Sequence, residues 1–134
     1  MMINEIIQRL QKLDSLKVNQ AIITDGYPDN PALSLISDEW SMGINCPWRL
    51  FSISENILLD GRRVKYWLEG RKITHIEPQS SRYPADFAFT FENGIILEIF
   101  SDDVYYEPWT MHVPGVVFVP SLGSPDLGFG ECQK

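Results

Sequence analysis

The chain has 134 residues, 44% of them hydrophobic and 12% aromatic, which is enough to build a sizeable core, excludes a disordered chain and predicts a single domain over residues 1–134. Its formal charge is −7 and the excess is local: residues 1–85 carry ten acidic and ten basic side chains, whereas residues 86–134 carry eight acidic ones and Lys134 as the only base. Such a field repels nucleic-acid phosphates and anionic lipid and steers basic partners, although it also serves ordinary solubility.

The start, Met1-Met2-Ile3-Asn4-Glu5, lacks the basic and long apolar regions of a secretory leader. No apolar run approaches membrane-spanning length, so a cytoplasmic protein without membrane contact is expected. Cys46 and Cys132 stand far apart without CxxC spacing or a nearby His and read as free thiols.

Ile3, Ile6, Ile7, Leu10, Leu13 and Leu16 recur at helical spacing, with Asn4, Gln8, Arg9, Gln11 and Lys12 on the other side. This predicts an amphipathic helix of about four turns that buries one face. Val18 to Thr24 reads as a strand, and the glycine and prolines between Asp25 and Pro31 make a loop. Ala32 to Ile36 and Trp40 to Ile44 read as strands around Ser37-Asp38-Glu39, which also fits a brief helical turn. Trp48 to Ile53 and Ile57 to Asp60 read as a hairpin turned by Ser54-Glu55-Asn56. Val64 to Leu68 and Ile73 to Ile76 read as another hairpin, connected by Glu69-Gly70-Arg71-Lys72, and Pro78 to Pro84 as a polar loop.

Phe87, Phe89 and Phe91 alternate up to Asn93-Gly94, and an apolar run from Ile95 to Phe100 leaves the turn. Asn-Gly between apolar runs predicts a two-residue type I′ hairpin. That register places Phe91 opposite Ile96, Phe89 opposite Glu98 and Phe87 opposite Phe100. Glu98 then stands alone among phenylalanines and is expected to be a partly buried carboxylate paired with Arg49, Arg62, Arg63 or Arg71. Beyond Phe100 come a short apolar stretch at Val116 to Val119 and a tail, residues 121–134, expected to pack loosely.

Successive strands after one helix predict an α+β domain in which the N-terminal helix packs on a predominantly antiparallel, strongly curved meander sheet, open or closing into a partial barrel. A parallel α/β arrangement would need crossover helices, for which the chain has no room.

The run Ser101 to Trp109 combines the carboxylates Asp102, Asp103 and Glu107 with the aromatics Tyr105, Tyr106 and Trp109. Interfaces favour Tyr and Trp as anchors, and surrounding acids select a basic partner, so these six residues form the candidate protein-binding patch. The alternative is a loop whose aromatics pack back onto the sheet. Asp102, Asp103 and Glu107 lack the glycine and oxygen ladder of calcium loops, and the alternative readings are a small metal-assisted hydrolase using Asp102, Asp103, Glu107 and His112 or a structural subunit of a larger assembly. His75 has no second ligand at useful spacing, and no serine or cysteine has a nucleophile context, so no catalytic residue, metal or cofactor is expected. Arg62, Arg63, Lys65, Arg71 and Lys72 lie near Tyr66 and Trp67, a pattern that suits RNA, but the group is small and the chain acidic.

Cys46-Pro47-Trp48-Arg49-Leu50 followed by Ile57-Leu58-Leu59, and then Phe91-Glu92-Asn93-Gly94 with Leu97-Glu98-Ile99-Phe100, resembles small bacterial domains of unassigned biochemical function. These share a W-R-[IL] segment and an F-x-[ND]-G-x-x-L-x-[IV] hairpin, and some look like immunity proteins of polymorphic or contact-dependent toxin systems. The resemblance spans Trp40 to Trp109 and brings no catalytic residues. It implies a cytoplasmic binding protein without chemistry of its own, and the leading expectation is an immunity-type inhibitor that covers a toxin's functional surface.

Overall fold

The computed structural model describes residues 8–13, 16–24, 32–79, 86–101, 109–114, 116–120 and 127–131, the last two segments through their strand pairing. Among the described residues eleven strands fall into two sheets, and every pairing between them is antiparallel. The six-stranded sheet contains β1 (Gln20–Thr24), β2 (Ala32–Ile36), β3 (Ser41–Ile44), β9 (Trp109–Val113), β10 (Val116–Pro120) and β11 (Leu127–Glu131), in that order. The five-stranded sheet runs β5 (Ile57–Leu59), β4 (Trp48–Ser52), β8 (Ile95–Ile99), β7 (Phe87–Phe91) and β6 (Ile73–Pro78).

The expectation of one meander therefore needs correction, because β3 pairs with β9 and β4 with β8. The inner faces explain this. Leu33, Ile44 and Trp109 form one cross-strand row and Leu35, Met42 and Met111 the next, all buried. Opposite them, β7 and β8 bury Phe87, Phe89, Phe91, Ile95, Leu97 and Ile99. The two sheets share this core: Trp109 on β9 touches Phe87 and Phe89 on β7, with ring centroids 5.3 and 6.3 Å apart. Edge-to-face ring pairs of this kind stabilise beyond their buried area.

Residues 8–11 are helical, with Leu10 buried and Gln8, Arg9, Gln11 and Lys12 exposed. The turns of this helix that Ile3, Ile6 and Ile7 would supply lie outside the described residues. Leu13 and Leu16 pack against the core. The expected strand at Val64 to Leu68 is instead a helix, α1 (Val64–Leu68), entered through a 3-10 turn at Gly61–Arg63. Asp60 Oδ1 accepts the Arg62 N–H and starts this turn. Val64 and Leu68, four residues apart, are buried on one side, and Tyr66 is exposed on the other. The backbones of Lys17 and Lys72 form an isolated antiparallel bridge, and Val18 N–H donates to Arg71 O.

The central hairpin also differs from expectation by one residue. Gly94 N–H donates to Phe91 O at 2.9 Å, and Gly94, not Asn93, takes a positive φ of 79°. The loop is therefore Glu92-Asn93-Gly94, a turn followed by a left-handed glycine, rather than a two-residue type I′ turn. Asn93 instead donates from Nδ2 to Trp67 O at 3.0 Å and ties the loop to α1. The register becomes Ala88 with Glu98, Phe89 with Leu97 and Thr90 with Ile96. A shift of one residue moves every β8 side chain to the other face. Glu98 thus leaves the phenylalanine face, which becomes wholly apolar.

Beyond Val119, where a loose tail was expected, residues 127–131 pair with β10 in register, Phe118 opposite Phe129. No helix among the described residues is long and apolar enough to cross a membrane.

Candidate functional site

The outer face of the five-stranded sheet is built from three cross-strand rows. The middle row reads Arg49, Glu98, Ala88 and Glu77 across β4, β8, β7 and β6. The lower row reads Phe51, Ile96, Thr90 and His75. Past the strand ends, Phe100 N–H donates to Pro47 O and Gln79 N–H to Asp86 O, which extends the ladders into a third row.

Glu77 reaches this face because β6 changes register between Ile73 and His75. Ile73 and Ile76 are three residues apart, so a regular strand would turn one of them outward. The irregularity lets both enter the core and leaves His75 and Glu77 together outside. His75 Nε2 lies 3.3 Å from Glu77 Oε2.

Ala88 is the short residue of the middle row. Around it opens a concave groove of about 620 Å³, bordered by Arg49, Glu77, Ile96, Glu98 and Phe100, with Asp86 and Gln79 at its upper end. Among the described residues, three carboxylates and one guanidinium line it. Arg49 Nε donates to Glu98 Oε1 at 2.7 Å, with the Glu98 side chain 21% exposed and that of Arg49 50% exposed. The guanidinium carbon also stands 5.0 Å from the centre of the Phe100 ring. The hydrogen bond that Arg49 donates to the Glu98 carboxylate holds the Arg49 pKa above its ordinary value. Of the four arginines expected as partners for Glu98, Arg49 is the one in contact. Arg62 bonds Asp60, and Arg63 lies over the Tyr66 ring.

The upper end of the groove is fastened by polar contacts. Asp86 accepts the Ser101 N–H at 2.8 Å and the Ser101 hydroxyl at 2.5 Å. Gln79 Nε2 donates to the Phe87 and Ile99 carbonyls. Ser101 opens the acidic aromatic run, so the chain enters that run from the rim of the groove.

Of the patch read from sequence, Asp102, Asp103, Tyr105, Tyr106 and Glu107 lie outside the described residues. Trp109 is corrected: it is 0% exposed and is a core residue joining the sheets, not a surface anchor. It begins the alternation Trp109, Met111, Val113, whose side chains all point inward. His112 is exposed on β9 opposite Ser41, on the outer face of the other sheet. Among the described residues no group of three or more His, Cys, Asp or Glu side chains is placed to hold a metal ion.

Sequence reasoning named Glu98 and Arg49 but missed Glu77, Ala88 and Phe100. The groove depends on the hairpin register and on the β6 irregularity. The first was legible: only the three-residue loop gathers Ile95, Leu97 and Ile99 with the three phenylalanines. The second leaves only the three-residue spacing of Ile73 and Ile76 as a local mark.

Comparison of the chain with protein-family models, curated proteins and solved structures gives no match.

Proposed function

We propose that this chain is a non-enzymatic protein-binding domain, an immunity-type inhibitor that neutralises a basic toxin domain in the cytoplasm of a bacterium. The observation that supports the reading is the acidic groove that the described residues form on the five-stranded sheet, with Ser101 at its rim preceding the Asp102 to Glu107 run in sequence. A concave face bordered by Phe100 and Ile96, with carboxylates around it, has the apolar and polar parts that recognition of a basic surface requires. The excess of acid in residues 86–134 adds long-range steering toward such a partner. The resemblance of the W-R-L and F-E-N-G segments to immunity-like domains supplies the class of partner.

The test is co-expression with a candidate toxin domain from the neighbouring reading frame, scored by host survival and by calorimetry of the two purified proteins. Survival together with a one-to-one complex is expected. A host killed despite abundant folded protein, or purified proteins that do not associate, contradicts the reading.

A further inference from the structure

The middle row of the outer face has a gap with a defined shape. Glu98 and Glu77 flank Ala88 across three neighbouring strands, so their backbones are about 9–10 Å apart, twice the strand spacing. Ala88 fills almost none of that interval. The result is a hollow walled by two carboxylates and bordered by Ile96 and the Phe100 ring. The protein already displays the chemistry that such walls recognise, since Arg49 stacks on Phe100 while hydrogen bonding Glu98. A guanidinium suits this position better than an ammonium because it is planar, keeps its charge and can stack on an aromatic face while donating sideways.

We propose that the hollow over Ala88 is a subsite for an arginine side chain of the partner protein, held between Glu98 and Glu77 beside Phe100. This rests on the protein-binding reading above and names the residue that the partner inserts. The partner's arginine is the counterpart of Arg49 on the opposite side of Glu98, so the row reads cation, carboxylate, cation, carboxylate across the sheet. Charge complementarity selects this occupant: among the described residues of the groove, Asp86 included, three carboxylates stand against one arginine.

The experiment titrates the isotope-labelled full chain with acetyl-Gly-Arg-Gly-amide, and separately with the same peptide carrying citrulline, which keeps the shape and removes the charge. Amide shifts that saturate at Glu77, Ala88, Ile96 and Glu98 with the arginine peptide alone are expected. Ala88→Leu, which fills the hollow, and Glu77→Gln, which removes one exposed wall charge without entering the core, should each weaken binding by about three- to fivefold. A native spectrum of Glu77→Gln keeps the test valid if Ala88→Leu fails to fold. An equal response to citrulline, shifts without focus, or unchanged affinity in Glu77→Gln overturns the subsite. A neutralised toxin that binds the wild type and Glu77→Gln equally removes the subsite and leaves the inhibitor reading standing. Focal arginine binding with no toxin neutralised does the reverse.

Discussion

Phe87 on β7 meets Trp109 on β9 edge to face, with ring centroids 5.3 Å apart and planes at 62°, and this contact crosses from one sheet to the other. Trp109 is therefore a keystone of the shared core. Trp109→Ala should lower the unfolding free energy by about 3–5 kcal/mol, the range for large aromatics truncated in well-packed cores. Urea unfolding measures it, and a loss below about 1 kcal/mol would mean that the sheets do not meet there.

The hairpin register depends on Gly94, whose φ of 79° lies in the left-handed region. A Cβ there would meet nothing within 4 Å, so the cost of Gly94→Ala is conformational and not steric. About 1–2 kcal/mol is expected. Gly70, also at φ 79° after α1 and equally open, should respond by a similar amount. If both alanine variants are as stable as the wild type, the two turns are not built as described.

The Arg49 and Glu98 pair is half in solvent, so its worth is modest despite the 2.7 Å contact. A double-mutant cycle with Arg49→Ala and Glu98→Ala should give a coupling of about 0.2–1 kcal/mol that shrinks with added salt. Arg49→Ala should cost more than Arg49→Lys, because lysine keeps a charge near Glu98 while both lose the flat stack on Phe100. A coupling independent of salt would count against an exposed ionic contact.

Glu69 links α1 to β1. Its carboxyl accepts Lys65 Nζ at 2.6 Å and the Ala21 N–H at 2.9 Å, and these bonds, the lysine's first, hold its pKa below the usual carboxylate value. A folded-state value lower than the unfolded one contributes stability that is complete above the unfolded value, about pH 4, and is lost as pH falls through the folded value. Asp60, lowered chiefly by the Arg62 side chain, behaves in the same sense. Glu69→Gln should therefore be less stable than the wild type at neutral pH and converge with it on acidification below about pH 4. Urea midpoints at neutral and acid pH test this, and a gap that stays constant would show that Glu69 titrates alike in both states.

Much of the strand content was legible because β2, β3 and β7 alternate with period two and β1, β4 and β5 are short apolar stretches bounded by polar residues. The Ala32 and Trp40 segments and the Ser54-Glu55-Asn56 turn fall where expected, with Asn56 itself at φ 55°. Val64-Lys65-Tyr66-Trp67-Leu68 misled because its composition favours strands and one helical turn is too short to reveal a 3.6-residue period. Asp60, capping the turn before it, was the available sign. The Asn-Gly pair misled for another reason: the preference for type I′ is statistical, whereas a wholly apolar inner face for β7 and β8 is an energetic demand. Trp109 to Val113 alternates as clearly as any strand, yet its tryptophan also suited an interface anchor, and only burial separates the two roles. The groove itself was hidden because it joins Arg49, Glu77 and Glu98 across β4, β6 and β8, a neighbourhood created by non-sequential pairing.

The most direct test of the proposed binding is calorimetry of the full chain, as the wild type and as Ala88→Leu, against a candidate toxin domain taken from the neighbouring reading frame. The account predicts a tight wild-type complex and a variant that keeps its native fold but binds at least about tenfold more weakly, as expected when a buried anchor loses its pocket. Equal affinity for both proteins would place the interface somewhere other than the outer face of the five-stranded sheet.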